Sequence, residues 1–255
     1  MVGVFWKVSD DSDASWESYG KRDPYYGVLS DNKFRNQNLS EAVLAAFMES
    51  GESHIDDALK FAESNFGPLG RGRALDFGCG VGRLLLPLAR RFSHATGLDI
   101  SDSMLMEARR NAAQAGIKNI TLARSLAELP QDDSYDFIHS VIVLQHIPTL
   151  RGEELIAGLL SRLAPGGVAM LHVNLRLKRG RIRALGSWLR RHFTLLNIPA
   201  NLLGRRRWNE PMMQMNEYSL NRILEIGHRQ GFSRMLVRPA DLPVACQAFV
   251  LFRRD

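Results

Sequence analysis

The chain has 255 residues, 45% of them hydrophobic, and a formal charge of +6, enough apolar content for the core of one large domain or two small ones. No run approaches the ~18 apolar residues of a membrane span, and the polar, acidic start after Val2-Gly3-Val4-Phe5-Trp6 lacks the layout of a secretory signal. Two cysteines, Cys79 and Cys246, exclude a disulfide framework or a zinc site, so a cytoplasmic compartment is expected.

Residues 1–70 read as a helical extension that precedes the main fold. Trp16, Tyr19, Tyr25, Tyr26, Phe34 and Arg35 crowd around Asp23-Pro24 without the alternation of a sheet. Helical patterning follows in Asn36–Ser50, with Leu39, Val43, Leu44 and Phe47 on one face, and in Ser53–Phe66, with Ile55, Leu59 and Phe66. Ser40 and Ser53 are candidate N-caps; Gly51 and Gly67-Pro68 are candidate stops. From 71 to 175 short apolar runs alternate with amphipathic segments, which predicts a mainly parallel sheet. Strands are expected at 72–77, 94–100, 119–124, 135–144 and 167–175, and helices at 82–92, 102–116 and 152–163. Residues 176–216 interrupt this pattern. Between Asn174 and Asn209 there are ten Lys or Arg and no Asp or Glu, which leaves a formal −4 for the rest of the chain. In this segment Ile182, Leu185, Leu189, Phe193 and Leu196 recur at helical spacing, until Pro199 and Gly204 break it. Residues 217–255 complete the fold with a helix from Glu217 to Gln230 and strands at 232–238 and 245–252.

The most informative run is Ala74-Leu75-Asp76-Phe77-Gly78-Cys79-Gly80-Val81-Gly82-Arg83, followed by Gly97-Leu98-Asp99-Ile100. It reads as strand, glycine turn, helix, strand and acidic end, the nucleoside-binding half of a doubly wound sheet. Asp99 lies 21 residues after Gly78, where a carboxylate can accept both ribose hydroxyls. A dinucleotide fingerprint requires a small residue at the position of Arg83, so that helix and strand pack closely. Here the glycines fall as G-x-G-x-G and Asp76 sits two residues before the first, an arrangement better suited to a cationic amine than to a pyrophosphate.

This segment resembles motif I of the class I S-adenosylmethionine (SAM)-dependent methyltransferases. Asp136-Phe137-Ile138-His139 through Gln145-His146-Ile147-Pro148 is similar to the fourth-strand motif of that family, and Leu163-Ala164-Pro165-Gly166-Gly167-Val168 to its turn before the fifth strand. The motifs occur in family order over residues 70 to 175, and the wider likeness is to the branch that includes quinone-biosynthesis and natural-product methyltransferases. The resemblance implies a Rossmann-like α/β fold with strand order 3-2-1-4-5-7-6, the last strand antiparallel, and a lid inserted before the sixth strand. It implies SAM as cofactor and S-adenosylhomocysteine as product.

The resemblance also assigns roles. Asp99 takes the ribose diol, and Gly78, Cys79, Gly80 and Gly82 form the loop along the amino-acid and ribose parts. Asp76 orients the ammonium. Ile100 and Met104 are candidates to sandwich the adenine. In the family an Asp often receives the adenine amino group where this chain has Ser125, a weaker acceptor, while the Leu126 N–H remains available to the ring. Ser140 to Gln145, with Val141 and Gln145 as cofactor contacts, ends the fourth strand beneath the sulfonium. Tyr26 and Arg35, with Tyr25, are candidates to close over the methionine end, Arg35 pairing the carboxylate. His146 is the candidate general base, since an imidazole near its ordinary pKa of ~6.5 suits removal of a hydroxyl proton.

The expected activity is methyl transfer to a small-molecule acceptor, at oxygen. Residues 176–216 are read as a lid for an acidic or phosphorylated acceptor; the competing readings are a basic surface for an anionic membrane or lipid-linked acceptor, a nucleic-acid contact, and a solvated lid with no electrostatic role. The alternatives for the whole chain are an RNA methyltransferase that uses the 176–207 segment, and a catalytically inactive SAM-binding subunit.

Overall fold

The alternation of strand and helix resolves into one seven-stranded sheet of order β3-β2-β1-β4-β5-β7-β6. The structure, a computed structural model, describes residues 12–178, 186, 190, 196–203, 207–240 and 245–255. The strands are β1 (Arg73–Phe77), β2 (His94–Leu98), β3 (Ile120–Ala123), β4 (Tyr135–Ser140), β5 (Leu163–Leu177), β6 (Arg234–Pro239) and β7 (Ala245–Arg253). The first five pair in parallel, and β7 inserts antiparallel between β5 and β6. The helices are α1 (Ser12–Arg22), α2 (Pro24–Val28), α3 (Glu41–Phe66), α4 (Leu85–Arg91), α5 (Asp102–Gln114), α6 (Thr149–Ser161), α7 (Asn197–Leu203) and α8 (Leu220–Arg229). None of them is long and apolar enough to cross a membrane. Of the apolar stripe, Ile182, Leu185, Leu189 and Phe193 lie outside the described residues.

Side chains alternate along each strand, so the sheet has two faces and two cores. Leu75, Leu98, Ile138, Leu171 and Val250 pack against α6 and α8. Ala74, Ala95, Phe137, Met170 and Leu251 pack against α3 and α4. A third core stands apart from the sheet. Tyr19, Tyr25, Tyr26, Phe34 and Phe47 close around Val81 of the glycine loop and Met104 of α5. The aromatic stretch is therefore two short helices and two 3-10 turns, packed onto the loop.

The structure corrects the reading around Gly51. The two helices expected either side of Gly51 are one helix, α3, capped by Ser40 Oγ on Val43 N at 3.3 Å and ended at Gly67, φ 85°. Ser53 is inside it, its hydroxyl donating to the Glu49 carbonyl. Gly51 does not stop the helix. It is buried, and a Cβ there would collide with the carbonyl oxygen of Arg83. The glycine is a notch that lets α3 touch the end of the glycine loop.

β4 also stops earlier than expected, at Ser140. Two residues later Ile142 has φ 61°, the only described non-glycine with positive φ. For a β-branched residue that conformation is strained, and it turns the chain out of the strand at the sheet's C-terminal edge.

Beneath that edge, on the α3 face, lies a row of polar side chains. His139 of β4 is buried and aligned in register with Asp76 of β1. Its Nε2 is 3.1 Å from Nε2 of His54 on α3, and its Nδ1 is 3.8 Å from Asp76 Oδ1. His172 on β5 accepts from Ile142 N at 3.4 Å. Burial pushes His54 and His139 down to about 3 and His172 down to about 4. All three are neutral in the fold.

Two outcomes follow from this packing. Gly51→Ala improves helix propensity but forces a methyl into the Arg83 carbonyl, so a net loss of about 1–3 kcal/mol is expected in chemical denaturation. The histidines fix a pH dependence. Their folded pKa values lie below the unfolded value of ~6.5, so the unfolded chain binds more protons between them. Asp76 and Asp99, raised by burial to about 7 and about 6, take up two protons in the fold over the same range and oppose this, but three histidines outnumber them, so stability is expected to fall as pH drops from about 6.5 towards 4. A melting temperature that stays level over that range would contradict the neutral assignment.

Candidate cofactor and active site

The glycine loop begins where β1 ends, and its first amides are used up internally. Gly78 N and Cys79 N both donate to Leu98 O, at 2.7 and 2.9 Å. Gly78 has φ 77°, and a Cβ there would run into the Val143 side chain. Only glycine satisfies both conditions. Cys79 is buried, and burial pushes its thiol well up, so it is inert filling in the turn. Gly82 lies deeper, against Leu86 and Ala108.

Asp99 follows β2 directly and faces the loop. Its Oδ2 accepts from Gly80 N at 2.9 Å and its Oδ1 from Ser101 N at 2.9 Å. Each oxygen keeps a further lone pair. Burial raises the group to about 6 against the pull of those two amides. The cap of α5 is made by Ser101, whose Oγ accepts from Met104 N. Asp99 is thus free of the capping role that a strand-end aspartate often fills.

Between Asp99 and the fourth-strand end lies a cavity of about 150 Å³. Gly78, Gly80, Asp99, Ile100, Met104, Ser125, Leu126 and Val141 all line it. Asp76, Cys79, Gly82, Gln145, His146, Tyr26 and Arg35 do not. Asp76 sits behind the loop, buried, with Oδ2 unpartnered. Burial raises it to about 7, against the pull of Arg83.

His146 is not placed as a free base. Its Nδ1 is 2.6 Å from the carbonyl of Gln214, so Nδ1 carries the proton, and its Nε2 is 3.1 Å from Gln145 Nε2, which donates to it. Burial pushes it down to about 4. Trp16 of α1 lies edge-on to the ring at 4.9 Å. Both nitrogens are committed, and the Nδ1 bond holds residues 211–216 against the fourth-strand turn, where Asn216 N also donates to Gln145 O at 2.7 Å.

Arg35 is likewise engaged elsewhere. Its guanidinium meets both carboxylate oxygens of Glu210 at 3.2 and 3.0 Å, Asp23 at 3.4 Å, and the Tyr26 ring at 3.7 Å from the centroid. Arg207 adds a second cation to Asp23 at 3.0 Å. A guanidinium between two buried carboxylates is not available for a ligand carboxylate, so the expectation for Arg35 and Tyr26 is corrected: they fasten the N-terminal segment to residues 207–211.

Sequence reasoning missed the residues that roof the cavity. Val28 sits over Gly80, its Cγ2 2.6 Å from where a Cβ would be. Asp13 of α1 pairs with Arg151 of α6 at 2.8 and 3.0 Å, and both line the cavity with Trp16 and Leu155. Glu17 receives Ser101 Oγ and Ser103 Oγ at 2.7 Å each, and burial that would raise it is outweighed, leaving it at about 2. The Glu17 and Asp13 contacts span more than 80 residues, and no local pattern announces them.

Residues 74–167 match the family model described as a methyltransferase domain. Among curated proteins, the chain is 27% identical over 125 residues to a ubiquinone biosynthesis O-methyltransferase of Rickettsia prowazekii, covering 49% of each. It is 30% identical over 138 residues to one of Paramagnetospirillum magneticum, covering 54% of this chain and 53% of the relative. The chain spans about half the length of the curated relatives it matches. Among solved structures, magnesium protoporphyrin IX methyltransferase from Synechocystis with bound SAM superposes with TM-score 0.60 at 19% identity, covering 96% of this chain and 98% of that one. The sheet order and the glycine loop agree with these matches: residues 74–167 match a methyltransferase domain, and the chain shares the fold of the solved methyltransferase.

Proposed function

We propose that this protein transfers a methyl group from SAM to an oxygen atom of a small-molecule acceptor. The observation that carries the reading is Asp99: a carboxylate held by two backbone amides, aimed across a cavity at a glycine turn that tolerates no Cβ. The residues present fit SAM. Asp99 would hold the ribose diol, Ile100 and Met104 the adenine faces with Ser125 and Leu126 at its edge, and Gly78 and Gly80 the backbone approach. The orphaned Oδ2 of Asp76 would satisfy the ammonium, directly or through water. When bound, SAM supplies an electrophilic methyl on a sulfonium, so alignment of the acceptor does most of the work.

The cavity is smaller than the ~300–1,000 Å³ of ordinary ligand pockets, because Val28 and α1 lie on the loop. Cofactor entry therefore requires residues 12–28 to lift from Gly80. Oxygen as the acceptor atom is supported by the O-methyltransferase names of the curated relatives. Among the described residues that line the cavity the ionisable groups are Asp13, Asp99, Arg124 and Arg151. None of these is a neutral amine or imidazole ready to take a hydroxyl proton. This favours an acceptor oxygen that is already ionised near neutral pH, as in a carboxylate or an acidic phenol, and it agrees with an acidic acceptor. The same observation keeps an inactive cofactor-binding subunit as the second reading.

Calorimetry distinguishes the two readings when paired with turnover. Binding of SAM and S-adenosylhomocysteine without NAD is expected, and Asp99→Ala should weaken it by about 1–3 kcal/mol, roughly tenfold to a hundredfold. Unchanged affinity would overturn the ribose assignment. Binding without methylation of any acidic acceptor would favour the inactive subunit. For His146, the structure predicts no ionisation in the working range. His146→Gln should leave the shape of the rate profile between pH 6 and 9 unchanged, while raising KM for the acceptor through loosened residues 211–216. Loss of an acidic limb in that profile, the fall in rate as an essential base is protonated, would restore His146 as the base.

A further inference from the structure

A row of ionisable side chains runs from beneath the glycine loop to helix α3, and the methyl-transfer chemistry leaves most of it unused. Asp76 and His139 are buried, and His54 is half-buried. Two polar atoms of the row, Asp76 Oδ2 and His139 Nδ1, have no hydrogen-bond partner among the described residues. They belong to side chains in register on neighbouring strands, with His139 Nδ1 3.8 Å from Asp76 Oδ1, a gap that a side-chain rotation closes. The other nitrogen of His139 is bonded to His54, Nε2 to Nε2 at 3.1 Å.

A neutral imidazole has one N–H and one bare nitrogen, and this row suits both arrangements. With its proton on Nε2, His139 donates to His54 and turns a bare Nδ1 towards Asp76, ready to receive a carboxyl proton. With its proton on Nδ1, it donates to an ionised Asp76 while its Nε2 receives from His54. Burial keeps both rings neutral, so neither stores the proton. Burial also holds the Asp76 carboxyl at about 7. The other groups facing the row are fixed in charge or neutral. Arg83 and Asp99 act on Asp76 with opposite sign, and the Cys79 thiol beside them is neutral. Arg83 and His172 disfavour a charge on His54, and Asp57 favours one. His172 of β5 also faces His139. One carboxylate oxygen pair buried this deeply cannot hold both a proton and a cation.

We propose that SAM binding exchanges a proton for the cofactor's ammonium at Asp76, and that His139 and His54 conduct the departing proton to solvent. The Oδ1–H bond of Asp76 breaks as the Nδ1–H bond of His139 forms. His139 gives its Nε2 proton to Nε2 of His54, and His54 gives its Nδ1 proton to water. Both rings end neutral in the opposite tautomer, and His139 is left donating to the carboxylate that holds the cation. The row runs backwards when the cofactor leaves. His139 and His54 are thus positioning residues, acting through Asp76. The inference rests on the SAM reading of the site.

Calorimetry near pH 6.5, in two buffers of different ionisation enthalpy, counts the protons released per SAM bound. At that pH an α-amine, ordinarily ~8, is already charged, so the count reports the protein. About three-quarters of a proton is expected from Asp76, and Asp76→Asn should remove it. Stopped-flow tryptophan fluorescence follows the arrival of SAM, since Trp16 lines the cavity. His139→Phe, whose new ring would lie along Phe137, and His54→Phe, which leaves the Asp76 contact intact, should each slow association about tenfold or more near pH 6.5. Near pH 8.5, where Asp76 is already ionised, both should come within about twofold of the unmodified chain. A purely structural role would slow association alike at both pH values. If the unmodified chain binds no SAM, the cofactor reading and the exchange fall together. If SAM binds without proton release, if Asp76→Asn leaves the count unchanged, or if the histidine variants show no pH-dependent slowing, the exchange is overturned and the cofactor reading stands.

Discussion

Two consecutive residues at the end of the second strand hold the site in shape. The Leu98 carbonyl receives the first two amides of the glycine loop, and the Asp99 carboxylate receives the Gly80 amide of the same loop and the amide that opens α5. The loop, the helix start and the strand end are thereby fixed to one another before any ligand arrives. The carboxylate is half-buried among its own backbone donors, so a hydroxyl pair that reaches it meets an acceptor already oriented. Binding then loses little to reorganisation.

Around this centre the molecule accepts unfavourable local arrangements. Asp76 is buried with one oxygen unpartnered, His139 sits beside it with Nδ1 unpartnered, and Ile142 is held at positive φ where the fourth strand ends. Each costs free energy that an apolar side chain or a glycine would not. All three lie at the same edge of the sheet, where strained and unsatisfied groups are most often tied to ligand binding. The two sheet cores, by contrast, hold ordinary aliphatic side chains.

The parts of this architecture carried by local pattern were legible in the sequence. The glycine spacing, the acidic strand end and the alternation of short apolar runs each depend on neighbours within about twenty residues, and strand order followed from the family resemblance those runs carry. What escaped was decided by contacts between distant segments. Gly51 has the signature of a helix stop, and only the approach of the Arg83 carbonyl explains why it stays helical. Arg35 has the chemistry to bind a carboxylate; it does so, but the carboxylates are Glu210 and Asp23 of its own chain. His146 stands at the expected place with an unexpected environment, because the Gln214 carbonyl comes from a segment 68 residues away.

The charge cluster of Arg35, Glu210, Asp23 and Arg207 has a mechanical meaning. Asp23 and Glu210 are nearly inaccessible to water and lie on two pieces of chain that sequence order keeps far apart. Pulling the pieces apart would strand buried charges without partners, at a cost of about 3–5 kcal/mol. They therefore travel as one leaf. Whatever lifts the N-terminal helices off the glycine loop also displaces the stretch that follows α7, and whatever immobilises α7 steadies the cover over the loop, because Asn201 donates to the Glu210 carbonyl.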